Sequence, residues 1–165
     1  MRTVDSFRFR VWVLLISFCF TANLQAADQR TAVDAVMSRF HAAAAAGDYD
    51  SYFALFTDDG VFLGTDRTER WDIPTFRAYA KAPFERGGWT YDMRERHIAF
   101  SADQQTAWID EILFNQSLGE CRGTAVLSRT PRGWKISHYS LTMLIPNDLA
   151  REVGAKSREL TESVP

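Results

Sequence analysis

Residues Leu55–Trp71 read LFTDDGVFLGTDRTERW, and this stretch joins a helical pattern to a strand pattern. Its TDDG segment is a turn signal, because aspartate side chains bond the local backbone and glycine accepts positive φ. The apolar run Val61–Leu63 that follows is long enough for a short buried strand. Arg70 and Trp71 come immediately before the next helical pattern, where we expect the rim of a pocket. The stretch therefore predicts a junction between helices and a sheet, with a pocket beside it.

Helical periodicity lies on both sides of this junction. Apolar residues recur at helical spacing over residues 32–46 and 48–56, and Gly47 between them suits the left-handed residue that ends a helix. Beyond the junction, Asp72 is placed to cap a third helix, which we expect to end near Pro83. The first half of the domain is therefore predicted to be helical apart from one short strand.

From Trp89 onward the apolar pattern changes to the two-residue period of strands. Strands are predicted over residues 89–100, 106–115, 120–129 and 134–145. Apolar residues change parity inside the first of these strands, which predicts a bulge near residues 94–96. Asn147 can cap a terminal helix. Helices followed by an antiparallel meander indicate an α+β fold, in which a strongly bent sheet wraps the N-terminal helices into a cone with one open mouth.

The N-terminus has the pattern of a secretory signal peptide. Basic residues precede the apolar run Val11–Phe20, which is too short to span a membrane, and Leu24–Ala26 suits a cleavage site. We expect residues 1–26 to be removed and the domain, residues 27–165, to be periplasmic or secreted; a retained membrane anchor is the alternative. Cleavage would leave Cys121 as the single cysteine, so no intrachain disulfide is expected and its thiol should be buried.

Charge and motif content exclude several classes of function. The chain carries 19 basic and 21 acidic residues, a net charge of −2, and the leader holds three of the basic ones. This balance argues against nucleic acid as a partner. The sequence has no basic amphipathic helix, so no membrane binding is expected after cleavage. It also lacks HxH, HExxH, CxxC and glycine-rich phosphate-loop motifs, so neither a metal nor a cofactor is predicted.

Several segments together resemble a known family. GDYDSYFALFTDDGVFLGTDRTERW, TAWIDEILF, RGTAVL and WKISHYSLTMLIPND resemble the SnoaL-like branch of the nuclear transport factor two-like superfamily. The resemblance covers nearly all of the chain after the leader and implies the same α+β cone, with a homodimer formed through the open sheet. Members of the superfamily include isomerases, cyclases, dehydratases and hydrolases, and pocket proteins without a known activity, so the resemblance does not name a reaction.

One activity within this superfamily can be compared position by position. Ketosteroid-isomerase-like enzymes use a tyrosine on the first helix, an aspartate base after the first strand, and a protonated aspartate beside the tyrosine. The resemblance places the tyrosine position on Phe40, the base position on Gly64, and the acid on a strand that reads RGTA over residues 122–125. Phenylalanine cannot donate a hydrogen bond and glycine cannot take a proton. We therefore expect isomerase chemistry of this kind to be absent.

Two strand residues and one histidine are the catalytic and binding candidates inside the cone. Glu111 alternates with apolar residues and should point inward, and Arg122 on the next strand is expected to pair with it. Such a pair either shapes the pocket as a structural ion pair, or holds a ligand anion on Arg122 while Glu111 orients that ligand or moves a proton. His138 shares parity with Trp134 and Ile136. It is either a hydrogen-bonded core residue or a general acid or base.

Three further residues are expected at the mouth of the cone. Arg70 and Trp71 precede a helix and can close an apolar cavity. Asp66 and Glu69 are either solvated loop charges or further residues of the pocket rim. Asn147 would approach a ligand if the terminal helix closed the mouth.

Three functions remain open from the sequence. The first is an exported homodimer that binds a small, partly apolar ligand in its cone. The second is a lyase, isomerase or hydrolase with Glu111 or His138 as the base. The third is an interaction domain whose cone is filled by its own side chains, which the predicted inward polar residues disfavour. The sequence favours the binding protein over the enzyme.

Overall fold

The computed structural model describes residues 27–162. The predicted signal peptide, residues 1–26, therefore lies outside the described residues. Helix α1 covers residues 27–46, and the other helices are α2 (Tyr49–Phe53), α3 (Ile73–Glu85) and α4 (Asn147–Glu162). The strands are β1 (Phe56–Leu63), β2 (Arg70–Asp72), β3 (Asp92–Phe100), β4 (Thr106–Asn115), β5 (Gly119–Thr130) and β6 (Gly133–Met143).

The six strands form one bent, open sheet in the order β2-β1-β6-β5-β4-β3. Neighbouring strands are antiparallel, except that β1 runs parallel to β6. The register shifts in β3 between Met93 and Glu95, which confirms the predicted bulge, and a second shift in β6 separates Ile136 from His138. This arrangement confirms the predicted α+β class, because three helices pack against one face of a mostly antiparallel sheet.

The core lies between the helices and the concave face of the sheet. On α1 the buried stripe consists of Val33, Val36, Met37, Phe40 and Ala44, as its helical spacing predicts. Aromatic rings from α2, β1 and α3 meet this stripe, and Phe76 and Tyr52 are among the largest fully buried side chains. Burial of each such ring contributes roughly 1.5–3 kcal/mol, which is why the helices remain docked on the sheet. Cys121 is also fully buried, as predicted.

Local capping follows the sequence closely. Gly47 has a φ of +66° and ends α1 in the left-handed region. The carboxylate of Asp48 accepts the N–H of Ser51 at 3.1 Å, and that of Asp72 accepts the N–H of Thr75 at 2.8 Å. Each aspartate satisfies a backbone donor that a helix start leaves free, so the predicted cap at Asp72 is confirmed and Asp48 caps α2 in the same way.

The junction Leu55–Trp71 differs from its prediction in two respects. The predicted turn at TDDG is wrong, because these residues lie inside β1, where the register shifts between Phe56 and Val61. The backbone N–H of Ile136 on β6 binds the carbonyl of Leu55, and this bond keeps the irregular segment on the sheet edge. The short strand β2 was not predicted, since three residues are too few for a visible alternation. β2 pairs antiparallel with β1 and so forms a hairpin.

Helix α4 contributes little to the core. Its apolar residues Leu149 and Val153 are exposed, and no side chain over residues 147–161 is buried. Within the described part of the chain, no helix is both long enough and apolar enough to cross a membrane.

Candidate functional site

A buried carboxylate lies at the centre of the cone. Glu111 on β4 is 1% exposed. Its Oε1 lies 2.7 Å from Nε2 of His41 and accepts a hydrogen bond from the hydroxyl of Tyr139 at 3.2 Å. Its Oε2 accepts a hydrogen bond from Nε of Arg96 at 2.9 Å. Three elements besides β4 therefore supply partners for this one side chain, and the buried charge is paired as such a group requires.

Local sequence explains how these partners converge. His41 follows Met37 by four residues and therefore projects from the same face of α1. Arg96 lies directly opposite Glu111 in the β3–β4 register, and Arg96 also binds the carboxylate of Asp34 at 2.8 Å. Gly123, opposite Glu111 on β5, leaves the necessary room, because a Cβ there would lie 2.4 Å from the Tyr139 hydroxyl.

The electrostatics of the cluster favour an ionised Glu111. Burial by itself would raise the pKa of this carboxyl, but the hydrogen bond and charge of His41, followed by the charge of Arg96, lower the pKa below its usual value. Burial raises the pKa of Tyr139 well above its usual value, and the charge of Glu111 raises it further. At neutral pH, Glu111 therefore accepts hydrogen bonds and Tyr139 donates one.

A cavity runs from the mouth of the cone towards this cluster. Its outer chamber has a volume of about 210 Å³ and aromatic walls formed by Phe62, Trp71, Phe76, Tyr79, Trp89 and Tyr91. A much smaller inner chamber of about 10 Å³ lies deeper and is lined by His41, Tyr52 and Tyr139, among others. The two chambers share Phe62, Trp89, Tyr91 and Leu141. The two chambers are therefore adjacent, and the inner one is lined by two of the three partners of Glu111.

A wider groove of about 760 Å³ lies elsewhere, between α1 and the β5–β6 turn. Its lining combines alanines with the charged residues Arg39, Asp48, Arg132 and Lys135, and Trp134 is its single aromatic residue. Binding sites usually combine aromatic walls with a few converging buried polar groups. The cone cavity has both features and the groove does not, so we take the cone cavity as the candidate site.

At the mouth, the structure separates the predicted residues. Trp71 lines the outer chamber, whereas Arg70 is exposed and does not line either chamber. Glu69 lines the outer chamber and is partly buried, which favours the pocket rim over a solvated loop position. Asn147 is exposed and lines neither chamber, because α4 does not fold over the mouth.

The predicted pairing of Glu111 with Arg122 is wrong. Arg122 is exposed on the outer face of β5 and lies opposite Ile112. The inward residues of β5 are Cys121, Gly123, Ala125 and Leu127. Several of these inward residues are small and only weakly hydrophobic, whereas Val126 on the outer face is strongly hydrophobic. The alternating pattern of β5 therefore predicts the wrong set of residues, which includes Arg122, to face inward.

The predicted inward position of His138 is also wrong. The bulge in β6 adds one residue between Ile136 and His138, and a shift of one residue moves every later side chain to the other face. His138 is therefore on the outer face, partly buried beside Val61 and Val126, and Tyr139 takes the inward position.

Sequence reasoning missed the other members of the site, which are His41, Tyr52, Arg96 and Tyr139. One signal was available for His41, since it continues the buried stripe of α1 at a spacing of four residues. Tyr139 and Arg96 become recognisable only once the bulges in β6 and β3 are known, because those bulges decide which face each side chain takes.

The isomerase positions have taken other roles. Phe40 packs with ring centroids 4.7 Å from both Tyr52 and Tyr139, so it is a core ring. A Cβ on Gly64 would lie 2.1 Å from Oε2 of Glu69, so the carboxylate of Glu69 occupies the space beside this glycine. Over residues 27–162, no group of three histidine, cysteine or acidic side chains is arranged to hold a metal ion.

Comparison with known proteins agrees with this architecture. An NTF2-like protein of unknown function from Pseudomonas putida has a TM-score of 0.61 at 13% identity, over 74% of this chain and 91% of that one. An NTF2-like protein with a cystatin-like fold from Novosphingobium aromaticivorans has a TM-score of 0.58 at 16% identity, over 81% and 94%. A candidate dehydratase of the NTF2-like family from Streptomyces avermitilis has a TM-score of 0.59 at 15% identity, over 73% and 99%.

At these identities the likenesses establish the fold alone. No curated protein matches the sequence. The family model described as a SnoaL-like domain matches residues 33–146, which is most of the described chain and includes both His41 and Glu111. The chain therefore belongs to the SnoaL-like family, and its fold is that of the NTF2-like structures named above.

Proposed function

We propose that this protein binds a small, partly apolar molecule in the cone cavity. The observation that carries the proposal is the outer chamber of about 210 Å³, which is walled by aromatic rings and leads to buried polar groups. Apolar cavities of about 150 Å³ accept benzene, so this chamber has room for a molecule of one or two rings. Polar side chains at the two ends, Glu69 at the mouth and His41 at the floor, would fix its orientation.

Native mass spectrometry of the purified protein tests this proposal. We expect a bound small molecule that is released on denaturation and that is lost from a Trp71→Ala variant. A Trp108→Ala variant is the matched control, because Trp108 lies on the outer face of β4 and lines neither chamber. Equal retention of the molecule by both variants would show that it lies outside the cone and would contradict the proposal.

A second candidate function, general acid/base catalysis, is favoured by the geometry of His41. A carboxylate can only accept, so Nε2 of His41 carries the hydrogen directed at Glu111, and in the neutral form of the ring Nδ1 is left to act as a base. Within the described residues, Nδ1 makes no hydrogen bond. This bond also fixes the ring and its tautomer, which is how a carboxylate prepares a catalytic histidine.

In this candidate reaction, Nδ1 of His41 would take a proton from a carbon of the ligand. The imidazolium formed would be stabilised by the charge of Glu111 and would return the proton, either to another carbon in an isomerisation or to a departing hydroxyl that leaves as water. Glu111 already accepts three hydrogen bonds, so it is a positioning residue here and not the base. His138, on the outer face, takes no part.

The bound molecule itself distinguishes a binder from an enzyme. After its release it is incubated with fresh protein, and its mass and retention time are followed. An unchanged molecule supports the binding protein. A mass loss of one water, or a new isomer formed by the wild type and not by His41→Gln, supports the enzyme.

We further propose an exported homodimer. The outer face of the sheet carries exposed Trp108 with partly buried Ile112, Phe114 and Val126, a surface that a second copy could cover. Sedimentation at micromolar concentration tests this proposal, and a monomer would contradict it.

Export predicts that the N-terminus of the protein recovered from the cell envelope or medium follows Ala26, and an intact leader in the cytoplasm would contradict it.

A further inference from the structure

The hydroxyl of Tyr52 is buried without a partner. Tyr52 lies on α2 and is 0% exposed. Its oxygen is the one buried side-chain polar atom without a hydrogen bond in the described part of the chain. An unpaired buried hydroxyl costs free energy, because the group loses its water and gains nothing in return. A phenylalanine would fill the same space without this cost, so the hydroxyl needs an explanation.

Tyr52 is one of a group of tyrosines at the inner chamber. Tyr52, Tyr91 and Tyr139 all line that chamber. Burial raises the pKa of Tyr91 to about 12 and raises the pKa of Tyr52 well above its usual value, so both keep their protons at neutral pH. The hydroxyl of Tyr139 already donates its hydrogen bond to Glu111. The proton of Tyr52 therefore remains free to be donated.

The sizes of the two chambers limit what can reach this proton. The inner chamber of about 10 Å³ has room for about one water-sized group, so it accepts a single oxygen substituent but no ring. The outer chamber, more than an order of magnitude larger, accepts the ring system. A ligand that fills both must therefore place one small atom inward and its rings outward.

The wall of the outer chamber favours a flat ligand. Trp71 and Phe76 are 5.5 Å apart with an interplanar angle of 5°, and Trp71 and Tyr79 are 4.4 Å apart with an angle of 24°. Phe62 and Trp71 are 6.2 Å apart at 23°. Rings aligned in this way offer offset-stacked or edge contacts to another aromatic ring.

We infer that Tyr52 is a specificity-determining residue, whose hydroxyl donates a hydrogen bond to an acceptor oxygen carried at the inner end of a planar aromatic ligand. The inference rests on the proposed binding function and adds the chemical class of the ligand. A carbonyl on an aromatic ring is the simplest group with this shape. The hydrocarbon of the same shape, which lacks the acceptor, would leave Tyr52 unpaired and bind more weakly.

Acetophenone and α-methylstyrene test the inference, because they share the same heavy-atom skeleton and differ only in a carbonyl oxygen or a methylidene group. Their dissociation constants are measured by equilibrium dialysis against the full protein. We expect the wild type to prefer acetophenone by roughly five- to tenfold, as one neutral hydrogen bond allows. In Tyr52→Phe the ratio of the two dissociation constants should be close to one, and the dissociation constant for α-methylstyrene should not change.

Tyr49→Phe is the matched control, since Tyr49 lies on the same short helix and its hydroxyl binds the carbonyl of Arg77 outside the cavity. We expect this variant to keep the preference for acetophenone. Thermal denaturation adds an independent readout: Tyr52→Phe should be at least as stable as the wild type, and Tyr49→Phe less stable.

The possible outcomes are distinguishable. A ratio that is unchanged in Tyr52→Phe, or near one in the wild type, would overturn the inference and leave the binding function standing. Failure of both compounds to bind the wild type at millimolar concentration would overturn the inference, while native mass spectrometry would still decide the binding function separately.

Discussion

Glu111 and His41 are 70 positions apart in the sequence, and their side chains meet at 2.7 Å in the centre of the cone. Because Arg96 binds the other carboxylate oxygen at 2.9 Å, the same carboxylate links α1, β3 and β4. The link lies where the cavity ends, so the group that holds the helix on the sheet also positions the polar floor of the candidate site.

Glu111→Gln should be strongly destabilising. The substitution preserves size but leaves Arg96, whose side chain is 4% exposed, without one of its two carboxylate partners. Removal of one member of a buried ion pair costs about 3–5 kcal/mol. Urea denaturation measures this loss. Glu120→Gln, on exposed Glu120 of the adjacent strand, should change stability by less than about 0.5 kcal/mol, and an equal effect of the two would contradict the structural role of Glu111.

The same carboxylate predicts a pH dependence. The pKa of Glu111 in the folded protein is below its usual value of 4.5, so on acidification the unfolded chain takes up this proton first. Its stabilising contribution is therefore complete above about pH 4.5 and is lost as the pH falls through the folded pKa. Urea denaturation between about pH 7 and pH 3.5 measures the difference in free energy of unfolding between the wild type and Glu111→Gln. The other carboxyl groups are present in both proteins, so their contributions cancel in this difference. The difference should shrink towards low pH, and a constant difference would contradict this assignment.

The fold was predictable because its determinants are local. The stripe on α1, the left-handed Gly47 and the aspartate caps each act within a few residues, so their consequences can be deduced from spacing. The predicted turn at TDDG failed where a long-range contact decided the outcome, since β6 holds this segment on the sheet. Tertiary pairing thus overrode a valid local signal.

The site was less predictable because the orientation of each strand residue depends on register. Glu111 was correctly expected to point inward, since its neighbours Ile109 and Leu113 are strongly apolar. The bulge in β6 reversed the assignments of His138 and Tyr139, and nothing within the strand sequence marks the extra residue. A charged partner for Glu111 was anticipated, but the antiparallel register places Arg96 there instead of Arg122.

Gly123→Ala should disturb the cluster without changing any of its polar groups. The added Cβ would lie 2.4 Å from the Tyr139 hydroxyl and 2.9 Å from Oε1 of Glu111, so at least one of these groups must move. Overpacking of this kind costs roughly 1–3 kcal/mol, which chemical denaturation can measure. Gly154→Ala on α4 is the control, because its nearest contact is 3.7 Å and alanine favours a helix. If Gly123→Ala were as stable as Gly154→Ala, the close packing around Glu111 would be refuted.

The aromatic wall predicts that two tryptophans respond differently to the loss of their rings. Trp71 lines the outer chamber and stacks on Tyr79, so Trp71→Ala should weaken acetophenone binding by roughly tenfold. Trp108 is 48% exposed on the opposite face of the sheet, and Trp108→Ala should leave the dissociation constant unchanged. Equilibrium dialysis measures both variants, and circular dichroism checks that each remains folded. Weaker binding in Trp108→Ala alone would place the ligand on the outer face, because only the inner face of the sheet contributes to the cavity.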